Sequence, residues 1–472
     1  MIAELDATFL AEVSGLIAER MGLHFPEERW PDLARDLKTA SQELGFEYPD
    51  ACVSWLRTRE LTAQHIETLA SHLTVGETYF FRDPESFEVL QREILPPLIA
   101  RRIDTGRTLR LWSAGCCTGE EAYSLAISCA RSLPDLPTWN VSVLATDINP
   151  KSLAKAEAGV YSPWSFRGTP DPFRGGFFSP APGKNLRIGA VVKNLVHFRY
   201  LNLAEDLYPS LHNHTNAMDV IFCRNVLMYF TPDHQRRVVA ALYRCLVDGG
   251  YLLVNPAEAS HSLFPMFTME NIGGVILFRK TPRVTGVESR PGNVPTNPAL
   301  PVPAFSTAPA PAAPRLIPHL MPPPSPIDPV PPVLLAPPIT PLSGEDFLRV
   351  AGVYANQGRL EEALALCRDA IAVNSTNPAA YFLCAMICQE LGRLEEAVAT
   401  LGKVLYLDQD FILAHHALGS LYKRLRKPRE SKRHLAIALE LLLARGRDEI
   451  VPESDGVTCG RLVESVQAMA GP

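Results

Sequence analysis

Leu109-Arg-Leu-Trp-Ser-Ala-Gly-Cys-Cys-Thr-Gly-Glu-Glu121 is the stretch whose reading decides the fold of this chain. An apolar strand runs into a loop of small residues, meets two carboxylates and continues into a helix-forming run from Ala122 to Ala130. Gly115 and Gly119 let the backbone come close to a ligand, and the turn opens a helix, which is the build of a nucleotide-type cofactor site. The stretch is not GxGxxG, and no Lys follows it as in a phosphate-binding loop. A floor of small residues and acids does not suit a polyphosphate. It suits a cationic, phosphate-free adenosine ligand, for which S-adenosylmethionine is the obvious candidate. Taken alone, an ordinary tight strand–helix turn accounts for the stretch equally well, so its neighbours decide.

After Arg107, short apolar runs at 109–113, 141–146, 218–223 and 250–254 alternate with helical patterns, which predicts an α/β fold with a parallel sheet. The run 141–146 ends in Asp147, 26 residues after Glu121. An acid at the tip of the second strand is where a doubly wound fold reads a ribose diol. The plainer role is the N-cap of a helix over Lys151–Ala158; beside the small-residue loop, the ligand role is favoured. Met218-Asp-Val-Ile-Phe-Cys-Arg-Asn-Val-Leu-Met-Tyr-Phe230 reads as a buried strand ending in Arg224-Asn225, with Thr231-Pro232 opening a helix. Polar groups at the carboxyl end of a central strand face the ligand crevice, although a structural hydrogen-bond network would use the same residues. Upstream, Thr74-Val-Gly-Glu-Thr-Tyr-Phe-Phe-Arg-Asp83 sets Thr78 and Arg82 among aromatics, and interdomain packing is its plainer use.

The 472 residues exceed one ordinary core, so two or three domains are expected. Hydrophobic residues at 47%, charged residues at 20% and a net charge of −6 describe a soluble globular protein with no reason to bind nucleic acid. No apolar run is long enough to span a bilayer, so no membrane insertion is expected. The start, Met1-Ile-Ala-Glu-Leu-Asp, lacks the basic region of a signal peptide. Ten cysteines without CxxC pairs point to reduced thiols in a cytoplasm, and Cys116 and Cys117 read as small loop residues. No metal site is expected. Leu5, Phe9, Val13, Leu16 and Ile17 are spaced for one amphipathic helix; Leu33, Leu37, Leu44, Val53, Leu56, Leu61 and Ile66 suggest more.

Pro291–Pro341 holds 19 of the 42 prolines, a composition that builds no core and reads as an extended linker. Beyond it the chain repeats. Gly358-Arg-Leu-Glu-Glu-Ala363 returns 34 residues later as Gly392-Arg-Leu-Glu-Glu-Ala397, and Arg426-Lys-Pro-Arg-Glu-Ser431 continues the register. Ala351, Ala385 and Gly419 fall at equivalent small positions, and Tyr354, Cys388 and Tyr422 at larger ones. This period, with small residues where two helices touch, is the tetratricopeptide pattern, which implies a concave surface for a protein partner. The basic cluster from Lys423 to Arg433 is better read as a solvated helical face than as an acidic-partner site.

Together, Thr78-Tyr-Phe-Phe-Arg82, Trp112-Ser-Ala, Thr118-Gly-Glu-Glu121, Asp147-Ile, Asn202-Leu203 and Cys223-Arg-Asn-Val…Tyr-Phe230 closely resemble the chemotaxis receptor methyltransferases, the CheR family, over roughly residues 10–281. The repeats resemble the branch of that family carrying such an extension. The resemblance implies a Rossmann-like S-adenosylmethionine methyltransferase that esterifies glutamates on the cytoplasmic helices of methyl-accepting chemoreceptors. By position it implies cofactor contacts at Thr78, Arg82, Glu121, Asp147, Asn202, Leu203, Arg224 and Asn225, and a methyl-transfer pair at Arg82 and Tyr229. It also implies an inserted antiparallel subdomain, for which Phe177–Phe178, Leu186–Ala190 and Val196–Leu201 offer strands. Two departures stand out: Gly76 replaces a common asparagine, and Asn255-Pro-Ala-Glu258 replaces a Gly-His-Ser-Glu-like run.

The expected organisation is a helical subdomain over 1–80, a methyltransferase domain over 81–283, a Pro-rich disordered linker over 284–342, three repeats over 343–445 and a tail over 446–472. The repeats, loosely tethered, would select a further protein partner. Two rivals are a methyltransferase of another acceptor and a scaffold that has lost catalysis.

Overall fold

The computed structural model describes residues 7–46, 51–52, 54–55, 63–104, 106–169, 176–281, 343–447, 449–454 and 456–470. Leu5, Val53, Leu56 and Leu61 of the N-terminal helical pattern, and the Pro-rich segment, lie outside them.

Among the described residues ten strands follow in chain order: β1 (Thr108–Ala114), β2 (Asn140–Asp147), β3 (Val160–Tyr161), β4 (Phe178–Pro180), β5 (Leu186–Ile188), β6 (Val196–Tyr200), β7 (Met218–Phe222), β8 (Leu246–Leu253), β9 (Thr268–Ile272) and β10 (Val275–Arg279). Seven of them form one sheet in the order β6-β2-β1-β7-β8-β10-β9. The first five of that order are parallel, and β10 runs antiparallel to β8 and β9. Along β1, Leu111 and Trp112 point to opposite faces and are both fully buried, Leu111 in one apolar layer and Trp112 in the other. A strand buried on both faces reads as a continuous apolar run, which is how β1 and β7 read in the sequence. The strand order reverses between β1 and β7, and the crevice beyond their carboxyl ends is where an open α/β sheet holds its ligand.

The structure corrects one strand assignment. Val196–Leu201 does not join the inserted sheet; β6 pairs in parallel with β2, from Val143 opposite Val196 to Asp147 opposite Tyr200. The inserted sheet is β3-β5-β4, and its third member is the two-residue strand Val160–Tyr161. Val196 and Phe198 supply the alternating apolar face that the exposed edge of β2 needs. A strand of two residues carries no periodicity by which to find it.

Helices Ala7–Met21, Trp30–Glu43 and Ala63–Leu73 share a separate apolar core built on Val13, Ile17, Leu33, Leu37 and Leu69. The repeats form three helix pairs: Gly344–Asn356 with Leu360–Val373, Pro378–Glu390 with Leu394–Leu407, and Ile412–Arg424 with Pro428–Leu443. Helix Cys459–Ala470 follows them. Ala351 and Ala385 are buried where helices meet, and a Cβ on Gly419 would stand 2.5 Å from Leu435 Cδ2. The repeats are not a loose arm. They form one compact unit with the α/β body, and the Glu390 carboxylate makes a close ion pair with Arg110 of β1. No described helix is long and apolar enough to cross a membrane.

Candidate active site at the carboxyl ends of the strands

The loop after β1 is built from its own sequence and from β2. Gly115 and Gly119 have φ of +83° and +91°, and Cys117 has +50°. The N–H groups of Gly115 and Cys116 both donate to the Thr146 carbonyl, at 2.8 and 2.9 Å. The Cys117 N–H donates to Asp147 Oδ2 at 2.7 Å, and the Asn149 N–H to Asp147 Oδ1 at 2.8 Å. Asp147 is not the cap of helix Pro150–Ala158. That role belongs to Asn149, whose Oδ1 accepts from the N–H groups of Lys151 and Ser152. Gly119 precedes helix Glu120–Ser132, which sets Glu120 and Glu121 in the first turn, where the helix dipole favours acids.

Glu121 lies between two partners. Ser113 Oγ donates to its Oε1 at 2.7 Å, and Arg224 Nη1 stands 3.6 Å from its Oε2. Burial raises the Glu121 carboxyl above its ordinary range, against the pull of Arg224 and Ser113. Burial raises Asp147 as well, opposed by its backbone donors. Burial, with Asp147 and Glu120 nearby, pushes the Cys117 thiol up to about 12, so it stays protonated at neutral pH and is a poor redox nucleophile.

Arg224 ends β7 with its side chain 1% exposed. Nη1 donates to the Arg82 carbonyl at 2.8 Å and Nη2 to Asp83 Oδ2 at 2.9 Å, while Nε is buried without a partner among the described residues. Asn225 has φ of +58°, and its N–H donates to Glu258 Oε2 at 2.8 Å. Arg82 is half-buried. Its Nη1 donates to the Glu77 carbonyl at 2.8 Å, and its guanidinium lies 5.8 Å from the Tyr79 ring centre.

Tyr229 is reached from the N-terminal helices: the His24 N–H donates to its carbonyl at 2.6 Å, and the Arg29 guanidinium lies 5.8 Å from its ring centre. Asn202 is 1% exposed; its Oδ1 accepts from the Ala204 N–H and its amide donates to the Arg20 carbonyl.

One cleft brings together Thr78, Arg82, Glu121, Asp147, Asn202, Leu203, Arg224, Asn225 and Tyr229. Sequence reasoning missed His24, Phe25 and Arg29, which line the same cleft, and Asp83 and Glu258, which hold its arginine and its backbone. An aromatic and an arginine just past the first helix were the only available signal for the former. For the latter it was the Asn-x-x-Glu pattern of a capping box at Asn255–Glu258, which the structure forms.

The cleft encloses about 240 Å³, far more than a buried water requires. The buried acids Glu121 and Asp147 face apolar walls from Phe87, Ile148, Leu203 and Val226, and Glu77, Arg29, Arg82 and Arg224 also line the cleft. The two buried acids fit an adenosyl ligand bearing a sulfonium cation.

A crevice of this chemistry at the switch point of a doubly wound sheet defines an S-adenosylmethionine-dependent methyltransferase. Comparison with known proteins agrees. The family described as "CheR methyltransferase, SAM binding domain" matches residues 76–272, and a tetratricopeptide repeat family matches residues 354–421. Chemotaxis protein methyltransferase 1 of Pseudomonas aeruginosa is 34% identical over 219 residues, covering 45% of this chain and 77% of that protein. The chemotaxis protein methyltransferase of Vibrio anguillarum is also 34% identical, over 47% of this chain and 78% of its own length. The "Probable biofilm formation methyltransferase WspC" of P. aeruginosa is 32% identical over 376 residues, covering 77% of this chain and 83% of that protein. The chain belongs to the CheR methyltransferase family, and its cofactor is S-adenosylmethionine.

Proposed function

We propose that this enzyme forms methyl esters on glutamate side chains of chemoreceptor-type signalling helices in the cytoplasm. The observation that carries the reading is the division of labour between two arginines. Arg224 is buried and already engaged by Asp83 and the Arg82 carbonyl. Arg82 is half-buried at the cleft, where its Nη1 donates to the Glu77 carbonyl, and its guanidinium makes no ion pair among the described residues, which leaves it open to a substrate carboxylate. The likeness to a biofilm-formation methyltransferase over 77% of this chain favours a receptor array of that signalling kind.

When bound, S-adenosylmethionine supplies an electrophilic methyl group. Glu121 and Asp147 would hold the cofactor, Asp147 by its ribose diol, and Thr78, Arg82, Asn202, Leu203, Arg224 and Asn225 would complete its contacts. A substrate carboxylate is already ionised at neutral pH, so no general base is needed. Arg82 pairs with that carboxylate and aims one oxygen, and Tyr229 holds it by a hydrogen bond from its hydroxyl. Phe87 and Val226 exclude water. The ester removes a negative charge from a receptor helix, which lessens repulsion between helices and biases a two-state array. The organisation that serves this is a helical subdomain over 1–80, a methyltransferase domain over 81–283 and repeats over 343–445.

Arg82→Ala should lower turnover by about 100-fold, a larger loss than that in cofactor affinity, as expected for a group that also acts on the acceptor. The assay counts volatile methanol released by alkali from receptor fragments labelled with S-adenosyl-[methyl-³H]methionine. Alkali-stable label would point to a different acceptor. Loss of cofactor binding alone would remove Arg82 from the aiming role.

A further inference from the structure

We propose that the repeats hold the chain's own loop between β6 and β7 in their groove, and that Arg461 is thereby a positioning residue for the cofactor cleft. The inference rests on the reading of Asn202 as a cofactor contact.

The loop is stitched to the first helix of each pair. Asn216 Nδ2 donates to the Ala355 carbonyl at 3.4 Å, on helix Gly344–Asn356. His214 Nδ1 meets Glu390 Oε1 at 2.7 Å, on helix Pro378–Glu390. The His212 ring lies 6.0 Å from that of His416, on helix Ile412–Arg424. Leu211 is buried in the apolar core of the repeats and belongs to neither layer beside the sheet. Arg110 completes the contact: it pairs with Glu390 and donates to the carbonyls of His214 and Asn216, at 2.9 and 3.2 Å. Stacked helical repeats use such a surface to bind extended segments, and here the segment comes from the same chain. Glu390 has a side chain 3% exposed, and a buried carboxylate without a cation is costly.

The loop begins at the cleft. Asn202 Nδ2 donates to Glu205 Oε1 at 3.2 Å, and the same oxygen accepts from Arg461 Nη2 at 3.2 Å. The Arg461 guanidinium also lies 4.0 Å from the Tyr200 ring centre. Arg461 sits on helix Cys459–Ala470, so an unbroken chain of polar contacts runs from beyond the repeats to a cleft residue. Removing Arg461 leaves Glu205 without its cation and loosens the carboxylate that orients the Asn202 amide.

In the full-length enzyme, Arg461→Ala should weaken S-adenosylmethionine binding about fivefold by calorimetry, at the low end of couplings between sites. Arg461→Lys should recover part of the loss. Glu205→Gln should cost as much, and the double variant no more than either single one. A shift in melting temperature with unchanged affinity would make Arg461 merely structural and overturn the positioning role. Asn202→Ala separates the two layers of argument. If it leaves affinity intact, Asn202 is not a cofactor contact; if it weakens binding while Arg461→Ala does not, the relay is wrong. Hydrogen exchange tests the groove directly: residues 205–216 should be protected in the unmodified chain and exposed in Glu390→Gln, and rapid exchange in the unmodified chain refutes the occupied groove.

Discussion

The loop after β1 and the loop after β7 leave the sheet side by side and line one cleft, yet they are held by different means. In the first, left-handed residues at 115, 117 and 119 turn the backbone, and its donors go to Thr146 and Asp147 on the adjoining strand. In the second, Asn225 is left-handed without being glycine. Its N–H and that of Met228 donate to the two oxygens of Glu258, at 2.8 and 3.1 Å, and Arg224 reaches back to Asp83. One loop is specified by its own residues and its neighbour strand. The other is specified by a carboxylate and a turn far away in the chain.

The largest effect should come from removing the distant support. Glu258 accepts from three backbone N–H groups, those of Asn225, Met228 and Asn255. Hydrogen bonds to a charged group contribute about 1.5–3 kcal/mol each, so losing these three part-buried ones in Glu258→Ala should destabilise the protein by about 4 kcal/mol. Chemical denaturation measures this, and calorimetry should show cofactor affinity falling with it. A cost no greater than that of a surface substitution would mean that the second loop holds its own shape, and the contrast between the loops would fail.

The first loop should break by sterics. A Cβ on Gly115 would stand 2.4 Å from Val226 Cγ2, and its φ is +83°. Gly115→Ala should cost about 3 kcal/mol, part from the clash and part from the left-handed backbone. Because Val226 belongs to the second loop, Val226→Ala in the same chain should recover the clash and leave about 1–2 kcal/mol of backbone strain. Denaturation midpoints of the two variants test this. No recovery would mean that the loops are not packed against each other through this contact.

The same distinction governs what the sequence disclosed. β1, β2, β7 and β8 were legible because strands buried on both faces write continuous apolar runs, and the first loop was legible because glycine marks its turns. Arg224 and Asn225 stood out only as polar residues after an apolar run; nothing near them named Glu258 or Asp83. β6 was assigned to the wrong sheet because pairing depends on which edge is free, and edges belong to the assembled sheet. The β9–β10 hairpin escaped notice, its outer strand being largely exposed and without strong alternation. The docking of the repeats was equally hidden, since Glu390, Arg110 and His214 are scattered among three segments.

A smaller effect follows from the charges on the two sides. The first side carries Glu121 and Asp147, both raised by burial, and the second carries the guanidinium of Arg224. A carboxyl raised on folding favours the folded state most at low pH, and that contribution is lost as pH rises through the raised value. A bound sulfonium cation acts in the opposite sense, since it prefers the ionised carboxylates. Binding of S-adenosylmethionine should therefore release protons and weaken on acidification through the raised carboxylate range. S-Adenosylhomocysteine, with a neutral sulfur, should weaken less. Calorimetry of both ligands in buffers of different ionisation enthalpy measures the difference. Equal pH dependence would mean that the acids do not face the sulfonium charge.

The smallest effect concerns the seam where Gly76 meets the first loop. Gly76 is exposed and does not occupy the left-handed region, and a Cβ there would lie 3.7 Å from Cys117 Sγ, an ordinary contact. Gly76→Asn therefore introduces no strain. Loss of glycine freedom in the unfolded chain should raise stability by about 0.5 kcal/mol. If the amide reaches the cofactor, as the resemblance to chains with asparagine at this position suggests, affinity should also tighten by about threefold, roughly 0.6 kcal/mol. The two readouts are independent: greater stability with unchanged affinity confines the effect to the backbone, whereas a gain in affinity makes this seam part of the locally specified side of the cleft. Weaker binding would show that the absence of a side chain at Gly76 is itself needed for the ligand to approach Cys117, and that the small residues of the first loop extend their function to the segment packed against them.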